Sequence, residues 1–227
     1  MKLIDLMTQY TKNPLGLEDS HPVFSWRWEV DGGEVSRFQS AWRIQAAGSL
    51  EALERGEADA WDSGKVPGER PFGMRYGGRR PESRERIYWR VTAWDDCGRQ
   101  TDWSEAAWFE MGLLEETDWE ARWIGRHKEE DETPLFRKSF HVKEGEIKKA
   151  RLYGCGLGLA DVFLNGEKTD RDYYEPWDSD YRKTVYYKTW NLDGKLCPGE
   201  NVLGFWLGNG QYRNYEEVCT LPARYQK

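Results

Sequence analysis

The sequence predicts an all-β fold made of two tandem β-sandwiches. Short runs in which apolar and polar residues alternate recur along the chain, and turn-forming sequences separate them. A period of two is typical of half-buried strands, and several short strands at this spacing favour a sandwich over a fold of alternating strands and helices. The length of 227 residues suits two modules, because all-β sandwich domains often contain about 100 residues.

The first half contains the clearest alternation. Phe24, Trp26 and Trp28 share one face of a predicted strand over residues 23–28. The same pattern predicts further strands, whose apolar phases are Trp42, Ile44 and Ala46, then Phe72, Met74 and Tyr76, then Trp89, Val91 and Ala93. Large aromatic rings on the apolar phase of a strand are expected in the core, so we predict that Trp26 and Trp89 are buried.

The second half is also predicted to be β. Strand chemistry is found over residues 135–142, 150–153, 159–164, 185–192 and 202–207. Asn165-Gly166 and Asn209-Gly210 are the strongest turn signals, with Asp193-Gly194 as a third, because these residues accept positive φ. In the first half, Ser49 is a suitable N-cap for a short helix over 49–55, and a turn at 95–98 leads to a strand near 107–110.

A polar connector separates the two predicted sandwiches. Gly112 interrupts the preceding strand, and the sequence from Glu115 to Asp118 is polar. We therefore place the first sandwich at residues 1–112, a linker at 113–124 and the second sandwich at 125–227.

Composition limits the classes of function. The net charge is −7 and the pI about 5.2, whereas nucleic-acid binding requires a basic face. Charged residues make up 32% of the chain and the mean hydropathy is −0.89, which predicts a soluble protein. No stretch approaches the roughly 18 apolar residues of a membrane span, so neither nucleic acid nor a membrane is expected as a partner.

The N-terminus and the cysteines predict a cytoplasmic protein. Residues 1–10 lack the uninterrupted apolar core of a signal peptide, since Asp5 interrupts their short apolar run. The four cysteines, at positions 97, 155, 197 and 219, are scattered through the chain without CxxC spacing. Without a signal peptide, they are expected to be free thiols in a reducing compartment.

A series of short motifs occurs in a fixed order along the chain. In the first half these are Asn13–Leu17, Pro22–Trp26, Gln39–Ile44, Trp61–Val66, Tyr88–Val91, Trp103–Glu105 and Phe109–Leu114, followed by Asp118–Ala121 and Trp123–Gly125. The second half adds Gly156–Gly158, Leu164–Gly166, Tyr186–Trp190 and Leu207–Gly210. Each motif alone is weak, but in this order they resemble the N-terminal region of bacterial α-L-rhamnosidases of glycoside hydrolase family 78.

The resemblance implies a fibronectin type III-like sandwich followed by a jelly-roll-like sandwich. It places the family's catalytic carboxylates much further on, in an (α/α)₆ barrel, so no catalytic residue is carried over to this chain. Family members continue with more strands, so the second sandwich is expected to be incomplete at its C-terminus. The strand 202–207 or a neighbour would then keep an open edge and favour self-association.

Aromatic residues form the best candidate for a binding site. Tyr173, Tyr174, Trp177 and Tyr181 are close in sequence, and Tyr212 and Tyr215 follow the Asn209-Gly210 turn. Exposed rings can stack on sugars while polar neighbours bind the hydroxyls, so a rhamnose-containing glycan is the candidate ligand. The predicted substrate-binding residues are Asp172, Tyr173, Trp177, Asp178, Tyr181 and Tyr212. Alternatively, these rings close the end of the sandwich.

The resemblance also raises the question of calcium. Some family members bind rhamnose through a calcium ion held by adjacent Asp and Asn residues after a Leu-Asn-Gly turn. Here the corresponding loop is Thr169–Tyr173, with Arg171 at an acidic ligand position, although calcium takes oxygen donors. The sequence Pro176-Trp177-Asp178-Ser179 also departs from the family's Pro-Gly-Trp-Thr. We therefore predict no metal and no cofactor.

Other candidate chemistry is weak. Asp178 with Asp180, and Glu216 with Glu217, are compact acidic pairs, but such pairs arise by chance among 40 acidic residues. The three histidines are at positions 21, 127 and 141 and lack zinc-ligand spacing. Residues 154–158 contain three glycines, yet a strand follows them where a phosphate loop would open a helix. They are expected to permit a bulge or a close backbone approach.

Three functions remain open from the sequence. The first is a non-catalytic accessory region that supports, or presents substrate to, a catalytic barrel in the same protein or in a partner chain. The second is a free-standing carbohydrate-binding module. The third is a truncated fragment without function.

Overall fold

The computed structural model describes residues 1–29, 38–125, 133–173, 175–210 and 212. The chain divides into two compact units, Met1–Ala121 and Arg122–Lys227. Antiparallel strand pairs build both units, which confirms the all-β prediction. Within the described ranges, no helix is long and apolar enough to cross a membrane.

Unit 1 is a sandwich of two antiparallel sheets. Its elements are β1 (Lys2–Thr8), β2 (Val23–Glu29), β3 (Gln39–Ala47), α1 (Leu50–Glu54), β4 (Trp61–Asp62), β5 (Val66–Pro67), β6 (Phe72–Arg75), β7 (Arg86–Asp95) and β8 (Ala107–Glu110). One sheet has the order β1-β2-β6, and the other has the order β4-β3-β7-β8, with β5 also paired to β3. A three-stranded sheet that faces a second sheet with four strands in its main order is the arrangement of immunoglobulin-like sandwiches.

The predicted core of unit 1 is confirmed. Trp89 is fully buried and Trp26 almost so, among side chains contributed by both sheets. The short helix α1 is also confirmed, because the Ser49 hydroxyl accepts a hydrogen bond of 3.1 Å from the Ala52 amide. This bond satisfies one of the amides that a helix leaves unpaired at its N-terminus.

Strand β1 is absent from the sequence prediction. It pairs with β2, but the register shifts between Ile4 and Met7, and Asp5 between them has a φ of 51°. This bulge disrupts the alternation by which a strand is recognised. It leaves Asp5 within 2.8 Å of both Lys12 and Arg27.

The predicted strand through Phe72, Met74 and Tyr76 is partly wrong. Strand β6 ends at Arg75, and Phe72 is 56% exposed, whereas Met74 and Tyr76 are buried. The register with β2 shifts at this point, so Phe72 does not share the buried face. Gly73 between the two side chains has a φ of 86°, which accommodates the irregularity.

The stretch that follows β8 packs on unit 1. Leu113 is buried, and a 3₁₀ turn over Glu116–Asp118 follows it. Ser83 holds this segment against unit 1 by two hydrogen bonds. Its hydroxyl donates to the Asp118 carboxylate (2.5 Å) and accepts from the Leu114 amide (2.9 Å). The division between the units therefore falls in the second half of the stretch 113–124.

Unit 2 contains a four-stranded sheet and a two-stranded sheet. Its strands are β9 (Leu135–Val142), β10 (Arg151–Gly154), β11 (Leu159–Leu164), β12 (Glu167–Lys168), β13 (Lys188–Asn191) and β14 (Gly199–Gly208). The orders are β12-β11-β14-β9 and β10-β13. Val162 and Leu164 pack with Trp190 and Leu192 between the sheets, so the second half is also β, as predicted.

The sequence predicts an open edge at the strand 202–207 or at a neighbouring strand, and residues 202–207 themselves do not form it. Strand β14 contains these residues and lies between β11 and β9, with paired residues along its length on both sides. Within the described residues, β9 and β12 are the outer strands of this sheet. The pairing of β9 with β14 joins residues that are 57 to 71 positions apart in the sequence, from Val142 with Gly199 to Leu135 with Trp206, which local alternation does not reveal.

The predicted turns and glycines have clear roles. Asn165 and Gly166 have φ values of 53° and 91°, and they connect β11 to β12 as a tight hairpin. Gly158 marks a close backbone approach, because a Cβ there would lie 2.2 Å from the Gly208 carbonyl oxygen. This confirms the prediction that the glycines of residues 154–158 permit a close approach of backbone segments. Among the described cysteines, Cys155 and Cys197 are free thiols.

Candidate functional site

The candidate site is the loop 169–187 between β12 and β13, which we call the aromatic loop. The hairpin at Asn165-Gly166 brings its start beside β11, where the Thr169 amide and hydroxyl both donate to the Val162 carbonyl, at 2.9 and 3.0 Å. The Glu175 carbonyl accepts a hydrogen bond of 2.7 Å from the Ala160 amide. The loop is thus attached to β11 at two points.

Two rings of the aromatic loop are open to solvent. Tyr173 is 75% exposed and Trp177 is 76% exposed. The ammonium group of Lys168 lies 4.5 Å from the centroid of the Tyr173 ring, which is close enough for a cation–π contact. These two rings have the exposure that stacking on a ligand requires.

Two other rings of the predicted set have a structural role. Tyr181 is only 4% exposed, and it packs edge to face on Tyr212 with a centroid separation of 5.2 Å. The Tyr181 hydroxyl donates to Asp178 at 3.1 Å, which fixes this otherwise exposed carboxylate. Tyr181 is therefore buried against its neighbours and is not available for stacking on a ligand. The predicted residues Tyr174 and Tyr215 lie outside the described residues.

Asp172 belongs to an ion-pair cluster. Its carboxylate is 2.5 Å from the Lys188 ammonium group, and its carbonyl accepts a hydrogen bond of 2.8 Å from Lys168. Asp170 lies on the other side of Lys188, at 3.1 Å. The cluster consists of Asp170, Asp172, Lys168 and Lys188, and Lys168 also pairs with Asp161 at 2.7 Å.

The lysines of this cluster are missing from the sequence prediction. Lys188 begins β13, two residues before the buried Trp190, and its side chain is 17% exposed. Burial acts to lower the pKa of Lys188, but the hydrogen bond to Asp172 and the ion pair with Asp170 outweigh burial and raise that pKa above its usual value. Lys188 therefore stays charged. The sequence signal that could have identified Lys188 is its position on the apolar phase of a strand, on the same face as Trp190.

The calcium ion that the resemblance raises does not fit this loop. Calcium binds carboxylate and carbonyl oxygens, and the loop offers these at Thr169, Asp170 and Asp172. Lysine ammonium groups already engage these oxygens: Lys188 engages both carboxylates, and Lys168 and Lys195 engage the carbonyls of Asp172 and Thr169. A metal ion would have to displace these positive charges.

Within the acidic pair Asp178 and Asp180, Asp180 lacks the raised pKa of a glycosidase general acid. Arg182 contacts Asp180 at 2.8 and 3.1 Å, and this hydrogen bonding holds the pKa of Asp180 below its usual value. The general acid of a glycosidase needs a raised pKa. Glu216 and Glu217 lie outside the described residues.

One cluster of possible metal ligands occurs in unit 1. Ligand atoms of Asp95, Asp96 and Cys97 lie within 4.8 Å of one another. The buried Asp95 carboxylate accepts hydrogen bonds from the amides of Cys97 (3.0 Å) and Arg99 (2.8 Å), and from the Arg99 side chain (2.9 Å). These bonds form the predicted turn at 95–98, so the arrangement of this carboxylate is explained without a ligand.

Two family models match the chain in succession. Residues 3–115 match the "Rha78A-like, N-terminal immunoglobulin domain", and residues 145–226 match the "Alpha-L-rhamnosidase N-terminal domain". The first match coincides with the sandwich of unit 1, and the second includes the aromatic loop.

Curated proteins and solved structures show the same similarity. An α-L-rhamnosidase from Formosa agariphila is 35% identical over 223 residues, covering 88% of this chain and 23% of that protein. One from Alteromonas sp. is 33% identical over 210 residues, with the same coverage. The structure of α-L-rhamnosidase from Dictyoglumus thermophilum superposes with a TM-score of 0.87 and 32% identity, covering 94% of this chain and 26% of that one. The chain thus spans about a quarter of the length of the relatives it matches.

Proposed function

We propose that this chain, which belongs to the α-L-rhamnosidase family through that family's N-terminal domains, is a non-catalytic accessory region of a glycoside hydrolase. The observation that carries the proposal is the succession of two N-terminal family matches in a chain that spans 23% of its curated relatives. In this proposal the catalytic carboxylates belong to an (α/α)₆ barrel elsewhere in the protein or in a partner chain. The accessory region supports that barrel or presents substrate to it.

The packing of both units supports a scaffold role. Unit 1 has a dense aromatic core that includes Phe24, Tyr76, Trp89 and Phe109, and unit 2 has its own core around Trp190. Densely packed sandwiches hold their surface loops in fixed positions, which suits a region that orients a neighbouring domain or a substrate.

The exposed rings favour a second candidate function, which is binding of a carbohydrate. Tyr173 and Trp177 are the members of the predicted set whose rings are open to solvent. The Asp178 carboxylate, next to Trp177, is held by Tyr181 and could accept hydrogen bonds from sugar hydroxyls. We propose a rhamnose-containing glycan as the ligand, in line with the relatives' activity.

Supplying the chain to a catalytic region tests the leading proposal. The catalytic region of the Formosa relative, prepared without its own N-terminal quarter, is assayed for rhamnoside hydrolysis with and without this chain. We expect the chain to raise the melting temperature or kcat/KM of the catalytic region. A catalytic region that is equally stable and active without the chain contradicts the accessory role.

Calorimetric titration of the chain with L-rhamnose tests the second candidate. We expect Trp177→Ala and Tyr173→Ala to abolish the binding heat if these rings form the site. Tyr186→Ala is the matched control, because Tyr186 is a half-exposed ring of the same loop that is not part of the proposed site. Absence of binding by the unaltered chain, or an equal loss in the control variant, rules out carbohydrate binding by these rings.

A further inference from the structure

Three lysine side chains from different parts of unit 2 converge on the segment 169–172. Lys168 is the last residue of β12 and Lys188 is the first residue of β13. Lys195 lies beyond β13, in the turn that leads toward β14. Their convergence is therefore a product of the fold, because the sequence separates Lys168 from Lys195 by 27 positions.

The two carboxylates of this segment share one ammonium group. Lys188 Nζ lies 2.5 Å from Asp172 Oδ2 and 3.1 Å from Asp170 Oδ2. Asp170 Oδ1 also accepts a hydrogen bond of 3.1 Å from the Asp172 amide, which sets the angle between the two acidic residues. Without Lys188, the two carboxylates would lack their shared counter-ion, and their repulsion would disfavour this arrangement of the segment.

The other two lysines engage backbone carbonyls of the same segment. Lys168 Nζ donates to the Asp172 carbonyl at 2.8 Å, and Lys195 Nζ donates to the Thr169 carbonyl. Lys168 also pairs with Asp161 on β11 at 2.7 Å, which ties the loop to the four-stranded sheet. Two carboxylates and two carbonyls thus point at ammonium groups, although the same set of oxygens could otherwise coordinate a divalent ion.

We propose that Lys188 is an internal cation of unit 2, whose ammonium group orders the segment 169–172 in place of a divalent metal ion. The order of this segment is then a property of the polypeptide alone and does not depend on calcium. This inference does not rest on the proposed function, because it concerns how the loop is held and not what the loop contacts. Any ligand that Tyr173 and Trp177 bind would be bound without calcium.

Hydrogen exchange and melting of the full chain in excess CaCl₂ and in excess EDTA test the proposal directly. We expect the amides of residues 169–172 to exchange at the same rate in both solutions, and the melting temperature to differ by no more than about 1 °C, because no bound ion contributes to stability. Slower exchange of these amides in CaCl₂, or a melting temperature that falls in EDTA, contradicts the proposal. This measurement needs no variant.

Substitution of Lys188 tests whether its charge carries the effect. In EDTA, Lys188→Met is expected to speed exchange of residues 169–172 by about tenfold or more, since the two carboxylates lose their shared partner. Adding CaCl₂ should slow that exchange again, because an ion can then enter between the freed carboxylates. Lys188→Arg keeps a cation and is expected to exchange like the unaltered chain in both solutions.

The matched control is Lys183→Met in the same loop. Lys183 also stands near an aspartate, at 3.8 Å from Asp180, but its side chain is 80% exposed. We expect no change in exchange of residues 169–172 and no response to CaCl₂. A Lys188→Met protein that behaves like this control overturns the proposal. If Lys188→Met does not fold, Lys188→Arg and the unaltered chain still decide it, since calcium dependence in either contradicts an internal cation.

Discussion

Phe24 and Trp89 stack nearly parallel across the core of unit 1, with ring centroids 4.2 Å apart and an interplanar angle of 21°. Phe24 belongs to β2 in one sheet and Trp89 belongs to β7 in the other. The Trp89 indole also donates a hydrogen bond of 3.1 Å to Thr8 on β1. This contact couples the two sheets, and its polar end is satisfied, as a buried indole requires.

Trp89→Ala is therefore expected to destabilise unit 1 by about 3–5 kcal/mol, because it removes a buried ring and leaves a cavity. Trp26→Ala should have a similar effect, and either change is large against a typical total stability of about 5–15 kcal/mol. Chemical denaturation of the chain measures both. Phe72→Ala, which removes an exposed ring from the same unit, is the control and should change stability little. Equal losses in the control and the core variants would refute the assigned strand phases.

Asn201 is expected to be important for stability in unit 2. Asn201 is fully buried. Its side-chain nitrogen Nδ2 donates a hydrogen bond of 2.7 Å to the Cys197 backbone carbonyl. Its side-chain oxygen Oδ1 accepts hydrogen bonds from the Cys197 backbone amide (3.0 Å) and from Asn165 Nδ2 (2.9 Å). Asn201→Ala leaves buried polar groups without partners, at a cost of about 1–3 kcal/mol. The exposed Asn209 provides the control variant Asn209→Ala. Thermal unfolding of the two variants should differ clearly, and equal melting temperatures would argue against this network.

The core positions could be predicted from the sequence because they follow local alternation. Trp26 and Trp89 lie on the apolar phases of regular strands, and Ser49 caps its helix through a contact three residues away. Strand β1 could not be predicted in the same way, since the bulge at Asp5 breaks its period.

The candidate site was only half predictable for a related reason. Aromatic content identifies the loop, but the sequence does not show which rings are buried, and Tyr181 differs from Trp177 only through packing. The position of Lys188 between Asp170 and Asp172 depends on how the start of β13 lies against the loop that follows β12, which no local pattern encodes.

Strand β14 should be among the most protected parts of unit 2. Because β14 has partners on both sides, amides of residues 202–207 are expected to exchange more slowly than those of β9, an outer strand among the described residues. Native-state hydrogen exchange measures the two strands in one experiment. Faster exchange at 202–207 than in β9 would restore the open-edge expectation.

Thiol labelling should separate the described cysteines. Burial raises the pKa of the Cys155 thiol to about 11, so at neutral pH it carries almost no thiolate, which is the reactive form. Cys97 and Cys197 are exposed. We expect a thiol reagent to modify Cys97 and Cys197 first in the folded chain, with the partly buried Cys155 reacting more slowly until the protein unfolds or the pH approaches 11. Mass spectrometry of the labelled peptides reads the order, and early labelling of Cys155 would contradict its burial.

Acid should weaken the outer face of unit 1. Hydrogen bonds from Arg43 hold the pKa of Asp62 well below its usual value, with further hydrogen bonds from Gln45 and the Gly64 amide. A carboxylate whose pKa is lowered by folding stabilises the protein above its unfolded pKa of about 3.9, and this contribution is lost as the pH falls toward the folded value. The melting temperature of the unaltered chain should therefore fall below about pH 4 more steeply than that of Asp62→Asn. Identical acid profiles would exclude a contribution from this ion pair.

The most direct test of the non-catalytic assignment is incubation of the purified chain with p-nitrophenyl α-L-rhamnopyranoside. We predict no release of p-nitrophenol above background, because the proposed function places the catalytic carboxylates in the barrel. Turnover that survives repurification of the chain and disappears in Asp178→Ala or Asp180→Ala would contradict it.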